Sequence, residues 1–164
     1  FTSSDAGSSS YAWTPTTEYD GFSGKAALKV TPDDNKGTWK NQSETVGKAP
    51  RIDFAIRFVK EGTYFLVLRG MGPNPTPGNS DSVHIGLDGA VVVQRVRVLK
   101  RGPISWAAKL NKQVELTIPK PGIYTLNLWP REDGVVIDKI VISPNAENPI
   151  STDPAGPPES ARAK

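Results

Sequence analysis

From Pro50 onward, apolar and polar positions alternate with a period of two, the mark of strands that bury one face. Residues 51–58 set Ile52, Phe54, Ile56 and Phe58 on one side. Residues 63–69 send Tyr64, Leu66 and Leu68 inward and leave Phe65, Val67 and Arg69 on the other face. In residues 81–88, Val83, Ile85 and Leu87 point inward, while Ser82, His84, Gly86 and Asp88 point outward. Asp88-Gly89 then signals a hairpin. Further strands are expected over residues 90–99, which are rich in valine, over 112–118 with Val114, Leu116 and Ile118 inward, and over 123–129 and 134–143. Lys60-Glu61-Gly62 and Pro119-Lys120-Pro121-Gly122 read as tight turns. The Pro/Gly/Asn stretch 70–80 cannot be helix or inner strand, and residues 100–111 form another loop carrying Trp106. No sustained helical period occurs. The expected fold is therefore all-β, an antiparallel β-sandwich of jelly-roll type with about 8 to 10 strands.

The flanks are less regular. Residues 2–10 are rich in serine and glycine and are not expected to order on their own. Tyr11, Trp13, Tyr19 and Phe22 supply a strand or strap that covers a sandwich edge, and residues 25–31 are a short strand. Residues 33–48 are polar around a single Trp39, which either plugs the core or faces a ligand. The division expected is a sandwich over residues 1–143 and a Pro-rich linker or tail over 144–164.

Parity then sorts the connections. If successive strands run antiparallel, connections alternate between the two ends of the sandwich. The tight turns at 60–62, 88–90 and 119–122 share one end. The other end receives 33–49, 70–80, 100–111 and the corner 130–134, and with them Trp39, Trp106, Trp129, Arg69, Asp81, Arg131, Glu132 and Asp133. Short turns at one end and elaborated loops at the other are how a rigid scaffold carries a binding surface.

Composition narrows the partners. Lys+Arg 20 against Asp+Glu 17 gives a formal charge of +3, too small and dispersed to argue for nucleic acid and enough only for a weak attraction to acidic ligands. With no cysteine there is no disulfide or thiolate site, and no apolar run is long enough to span a membrane. The start at Phe1, without a methionine or leader, suggests a piece of a longer, processed chain. Sugars present C–H faces that stack on indole and hydroxyl rims that take bidentate partners. A carbohydrate site is therefore expected from Trp39, Trp106 and Trp129 for stacking, with Arg69, Asp81, Arg131 and Glu132 for polar contacts. The scaffold reading carries equal weight for Arg131, which can brace the loops by pairing with Glu132, Asp133 or Asp81. Asp138, set among valine and isoleucine, reads as a buried acceptor that holds the N-terminal segment.

Catalytic signatures are thin. His84 is the sole histidine, on an outward-facing position and without a nucleophile and acid at triad spacing; a solvated or sheet-face role suits it best. Glu132 and Asp133 are sequence neighbours whose side chains diverge on extended backbone. A jelly-roll lyase would need His84 or Tyr124 beside an arginine such as Arg69. No cofactor is implied, although Asp33-Asp34-Asn35 and the vicinity of Asp138 offer hard oxygens to a structural calcium outside any twelve-residue loop pattern.

Taken in order, Gly62-Thr63-Tyr64-Phe65-Leu66-Val67-Leu68-Arg69, Asp81-Ser82-Val83-His84-Ile85-Gly86-Leu87-Asp88-Gly89, a tryptophan loop, Gly122-Ile123-Tyr124-Thr125-Leu126, Arg131-Glu132-Asp133-Gly134 and Ile137-Asp138-Lys139-Ile140 resemble the β-sandwich modules of bacterial polysaccharide-degrading enzymes. The resemblance is to malectin-like carbohydrate-binding modules and to the C-terminal domains of bacterial α-glucuronidases. It implies a non-catalytic module that tethers an enzyme to its glycan, an acidic polysaccharide among the options. The implied partners are a polysaccharide or oligosaccharide and a catalytic domain in the same parent chain, secreted or at the cell surface. Relatives of this kind open with a glutamate-rich strand at a structural calcium; here Glu18 is the only early glutamate. The alternatives are a protein–protein adhesion module of a multidomain surface protein and a small jelly-roll polysaccharide lyase.

Overall fold

The computed structural model describes residues 2–4, 10–74, 79–100, 102–107, 114–145 and 156–161. Among them are twelve strands and one helical turn: β1 (Thr2–Ser4), β2 (Ala12–Thr16), β3 (Ala27–Thr31), α1 (Gln42–Thr45), β4 (Arg51–Phe58), β5 (Gly62–Gly72), β6 (Ser82–Leu87), β7 (Ala90–Arg97), β8 (Leu99–Lys100), β9 (Ser105–Trp106), β10 (Val114–Ile118), β11 (Gly122–Pro130) and β12 (Val136–Ser143). The first sheet runs β1-β4-β11-β6-β7 and the second β10-β5-β12-β3-β2, with β8 and β9 lying along β5. All pairings are antiparallel except that of the two-residue β8. The expected sandwich is the observed one.

Period-two alternation explains which side of each strand is buried. Ile52, Leu66, Leu68, Val83, Ile85, Leu116, Leu126 and Leu128 meet between the sheets, joined by Trp13 from β2 and Val30 from β3. Burial of such side chains stabilises by about 1.5–3 kcal/mol each. Parity holds as well: Gly122 pairs with Phe58 and Leu87 with both Leu126 and Ala90, so the tight turns lie together at one end.

Three local expectations are corrected. Thr2–Ser4 is a strand that pairs with Arg51–Asp53, because the open edge of β4 supplies the partners a Ser-rich segment lacks alone. Residues 5–9 of that segment lie outside the described ones, as do 75–78, 101 and 108–111 of the expected loops, 112–113 of the expected strand 112–118, and 146–155 and 162–164 of the expected tail. β5 runs through Gly72 into the expected loop. Gly70 permits this, since a Cβ there would sit 2.3 Å from the Val136 carbonyl oxygen. The third concerns the outer faces, each of which is covered over part of its area.

On the outer face of the first sheet, Trp129 and His84 are cross-strand partners, and residues 32–50 fold over them. Trp39 and Ala49 of that excursion pack on Trp129. Gly86 makes room for the ring: a Cβ there would lie 2.6 Å from Trp129 Cζ3. His84, the outward residue, is 1% exposed. Its Nδ1 accepts from the Arg95 amide at 3.4 Å, so Nε2 carries the proton and donates to the Trp39 carbonyl at 2.7 Å. Arg95 reaches this position through a bulge in the edge strand β7, with φ 58, and its side chain is exposed. On the outer face of the second sheet, Ala27, Met71, Ile104 and Val136 are covered by Tyr19 and Phe22.

Candidate functional site

The corner after β11 stitches the loop end together. The Arg131 amide donates to the Ser82 carbonyl at 3.0 Å, and the Trp39 amide donates to the Arg131 carbonyl at 2.9 Å. The Asp133 amide bonds Gly37 at 2.9 Å, and the Gly134 amide bonds Val30 at 3.0 Å. Gly134 has φ 74, and a Cβ there would fall 2.3 Å from Asp33 Oδ1 and 2.8 Å from Ser80 Oγ, so only glycine fits this turn. Asp133 Oδ2 accepts from the Asp34 amide at 3.0 Å, and burial raises the Asp133 pKa. Tyr11 donates to Asp34 Oδ1 at 2.8 Å. Burial and that bond push the Tyr11 phenol up to about 12.

The expected site residues divide into two groups on different sheets. Five sit around the corner of the first sheet. Trp129 is 1% and Trp39 7% exposed, each covering the other, so neither offers an indole face for stacking. Asp81 is 3% exposed at the root of β6, where its carbonyl takes the Val98 amide at 2.9 Å. Glu132 is 2% exposed, accepts from Ser82 Oγ at 2.9 Å and is ion-paired with Arg131; burial raises its pKa against these two favourable contacts. Trp39, Trp129 and Glu132 thus turn their ring faces or carboxylate into the fold, and Asp81 is buried beside them. Arg131 braces the corner as the scaffold reading expects, yet its side chain remains 15% exposed.

The remaining two meet on the second sheet, where Arg69 and Trp106 are cross-strand partners. Arg69 is buried and ion-paired with Asp138, which also accepts from the Ser23 amide at 2.7 Å and from Ser23 Oγ. Asp138 thus holds the N-terminal segment as expected, and Arg69 is its counter-ion. Trp106 is half-buried, whereas Trp13, Trp39 and Trp129 are buried. Its ring faces Gly156, where a Cβ would lie 2.3 Å from Cζ2. Lys139, on the strand beside Arg69, donates from Nζ to the Pro157 carbonyl at 3.2 Å. Sequence reasoning missed Lys139 and Gly156. A lysine in a strand and a glycine in a Pro-rich stretch carry no signal of a shared partner.

The catalytic pairings do not assemble. His84 and Arg69 lie on the outer faces of opposite sheets, and Tyr124 donates to the Lys120 carbonyl at the tight-turn end. Among the described residues, no group of three or more His, Asp or Glu is placed to hold a metal ion. The acids considered for calcium have other partners: Asp33 pairs with Lys29 at 3.1 Å, Asp34 with Lys36 at 3.5 Å and Asp138 with Arg69.

Several solved structures share the fold. A family 35 carbohydrate-binding module from Paenibacillus barcinonensis aligns at TM-score 0.53 and 19% identity, over 87% of this chain and 98% of that one. A family 35 module from Clostridium thermocellum aligns at TM-score 0.52 and 16% identity, over 79% and 86%. A Podospora anserina β-(1,4)-mannanase carrying such a module aligns at TM-score 0.54 and 19% identity, over 90% of this chain and 28% of that one. A protein of Formosa agariphila, described as uncharacterized, is 26% identical over 130 residues. The alignment takes in 72% of this chain, which spans about a third (31%) of that relative's length. Residues 1–159 match the glycosyl hydrolase family 115 C-terminal domain as a whole, and the chain belongs to that family.

Proposed function

We propose that this domain is a non-catalytic carbohydrate-binding module whose stacking platform is Trp106. One observation carries the reading: of the four tryptophans, Trp106 alone is partly exposed, on a strand paired with β5. Its neighbour Lys139 gives that platform a cation, and Arg131 gives the loop end another. The formal charge of +3 favours an acidic polysaccharide over a neutral one. In this reading the module tethers a secreted or cell-surface catalytic domain of the same parent chain to its polymer. The fold and the family support it, since modules of this shape occur beside glycoside-hydrolase domains.

Calorimetric titration with a panel of neutral and uronate-bearing polysaccharides tests the proposal. Trp106→Ala is expected to weaken binding roughly tenfold or more, as truncation of an aromatic anchor does, at a stability cost of only about 1 kcal/mol. Arg131→Ala is expected to weaken binding of the acidic polymers alone. Full binding by a folded Trp106→Ala variant would overturn the platform. Binding to the parent enzyme's other domains and to no glycan would favour a protein-interaction module instead.

A further inference from the structure

We infer that the glycan lies along β5 from Trp106 to Phe65, so that the module reads an extended oligosaccharide rather than a single sugar. The inference rests on the carbohydrate reading above and deepens it. Tyr19 and Phe22 cover the outer face of the second sheet around Met71. From there towards Gly62, the outward residues of β5 are Arg69, Val67, Phe65 and Thr63, by the same alternation that turns Tyr64, Leu66 and Leu68 to the core. Phe65 and Val67 are half-buried, as is Val141, the cross-strand partner of Val67 on β12. Among the described residues, these three join none of the buried apolar clusters. They form an apolar strip on the part of the face that Tyr19 and Phe22 leave uncovered.

The strand register makes two stations of this strip. At one, Arg69 stands between Trp106 of β9 and Lys139 of β12. At the other, Phe65 stands between Glu115 of β10 and Ser143 of β12. Side chains directly opposite one another share a face, with Cβ atoms about 5 Å apart. Each station therefore sets an aromatic ring among polar groups. An ammonium accompanies the indole; a carboxylate and a hydroxyl flank the phenyl. A sugar needs that pairing, a flat apolar surface for its C–H face and polar groups at its rim. Val67 and Val141 form the floor between the stations. Arg69 and Phe65 lie four residues apart on one strand, about 14 Å. A single pyranose is too short to bridge them, whereas successive rings of a polymer running with the strand can meet both. Once one ring is seated, contact at the second station is intramolecular.

Calorimetric titration with size-fractionated cello-, manno- and galacturono-oligosaccharides, from mono- to hexasaccharide, tests the path. In the series that binds, affinity is expected to rise about tenfold or more from the shortest binding member to the longest. Phe65→Ala should remove that rise and leave the shortest binding member unaffected, whereas Trp106→Ala should weaken every length. Phe65→Leu keeps apolar bulk without a flat ring; it should lose the rise as well, with the melting temperature held to about 2 °C. Phe65→Trp should restore the rise. A wild-type affinity that is flat with chain length would overturn the path along β5 and leave the Trp106 platform standing. A rise that survives both Phe65→Ala and Phe65→Leu would do the same. Equal weakening of every length by both of these variants would also overturn it, since a second station acts only on ligands long enough to reach it. Absence of binding by the wild type to all three series would overturn the carbohydrate reading, and the path would fall with it.

Discussion

His84 is a histidine enclosed by the fold, and its chemistry makes the domain sensitive to acid. Burial lowers its pKa and the Arg131 cation lowers it further, outweighing the bond to the Trp39 carbonyl that favours the charged form. The native ring is neutral and uses Nδ1 to accept from the Arg95 amide. The unfolded histidine takes up a proton near pH 6.5, while the folded one resists to lower pH, so the unfolded chain binds more protons in that window. Stability is full above about pH 6.5 and falls as the pH drops towards the folded pKa. Urea unfolding at pH 7.5 and 5.5 should show a loss about 1 kcal/mol larger in the wild type than in His84→Gln. Glu132 and Asp133, whose pKa values burial raises, pull the other way as the pH falls, but they do so in both proteins, and the difference isolates His84. Equal losses would show that the ring titrates normally.

Among the elements, the loops that cover the sheets are fastened by buried charge. Asp138, at the bulge in β12, ties Ser23 of the 17–26 segment to Arg69 of β5. Asp138→Asn leaves a guanidinium buried without its counter-ion and should cost about 3–5 kcal/mol, read as a fall in melting temperature. The double variant Arg69→Met/Asp138→Leu should cost less than either single change, because no uncompensated charge remains. A double variant as unstable as the sum of the singles would show that the pair acts independently. Asp138 could be read from sequence as a buried acceptor because a carboxylate among valine and isoleucine must be satisfied. Its partner could not, since Arg69 is 69 residues away and alternation places it at a strand end beside the loops. The strands themselves were legible for a local reason: β4 spans Arg51–Phe58 as its alternation predicts. The coverings were not, because their contacts join polar loops to distant faces, Trp39 to Trp129 and Phe22 to the Met71 cluster.

For the whole molecule, the consequence is a sandwich with partly covered outer faces, in which most tryptophans belong to the packing. Trp39→Ala should destabilise by about 3–5 kcal/mol, since it removes the plug between residues 32–50 and the first sheet. Trp106→Ala, at a half-buried ring, should cost about 1 kcal/mol by thermal unfolding. A reversed order would mean that the 32–50 excursion is not anchored through its indole. Parity predicted the polarity of the two ends because it needs only strand order. It could not say which indoles stay open, since that depends on what each loop lies upon. One edge also bears on behaviour in crowded surroundings. β7 is the outermost strand of the first sheet among the described residues, but its bulge leaves Arg95 at φ 58, and Gln94, Arg95 and Arg97 are exposed along it. Kinked and positively charged, that edge is a poor template for a second copy. Many copies can then stand side by side without zipping together into aggregates.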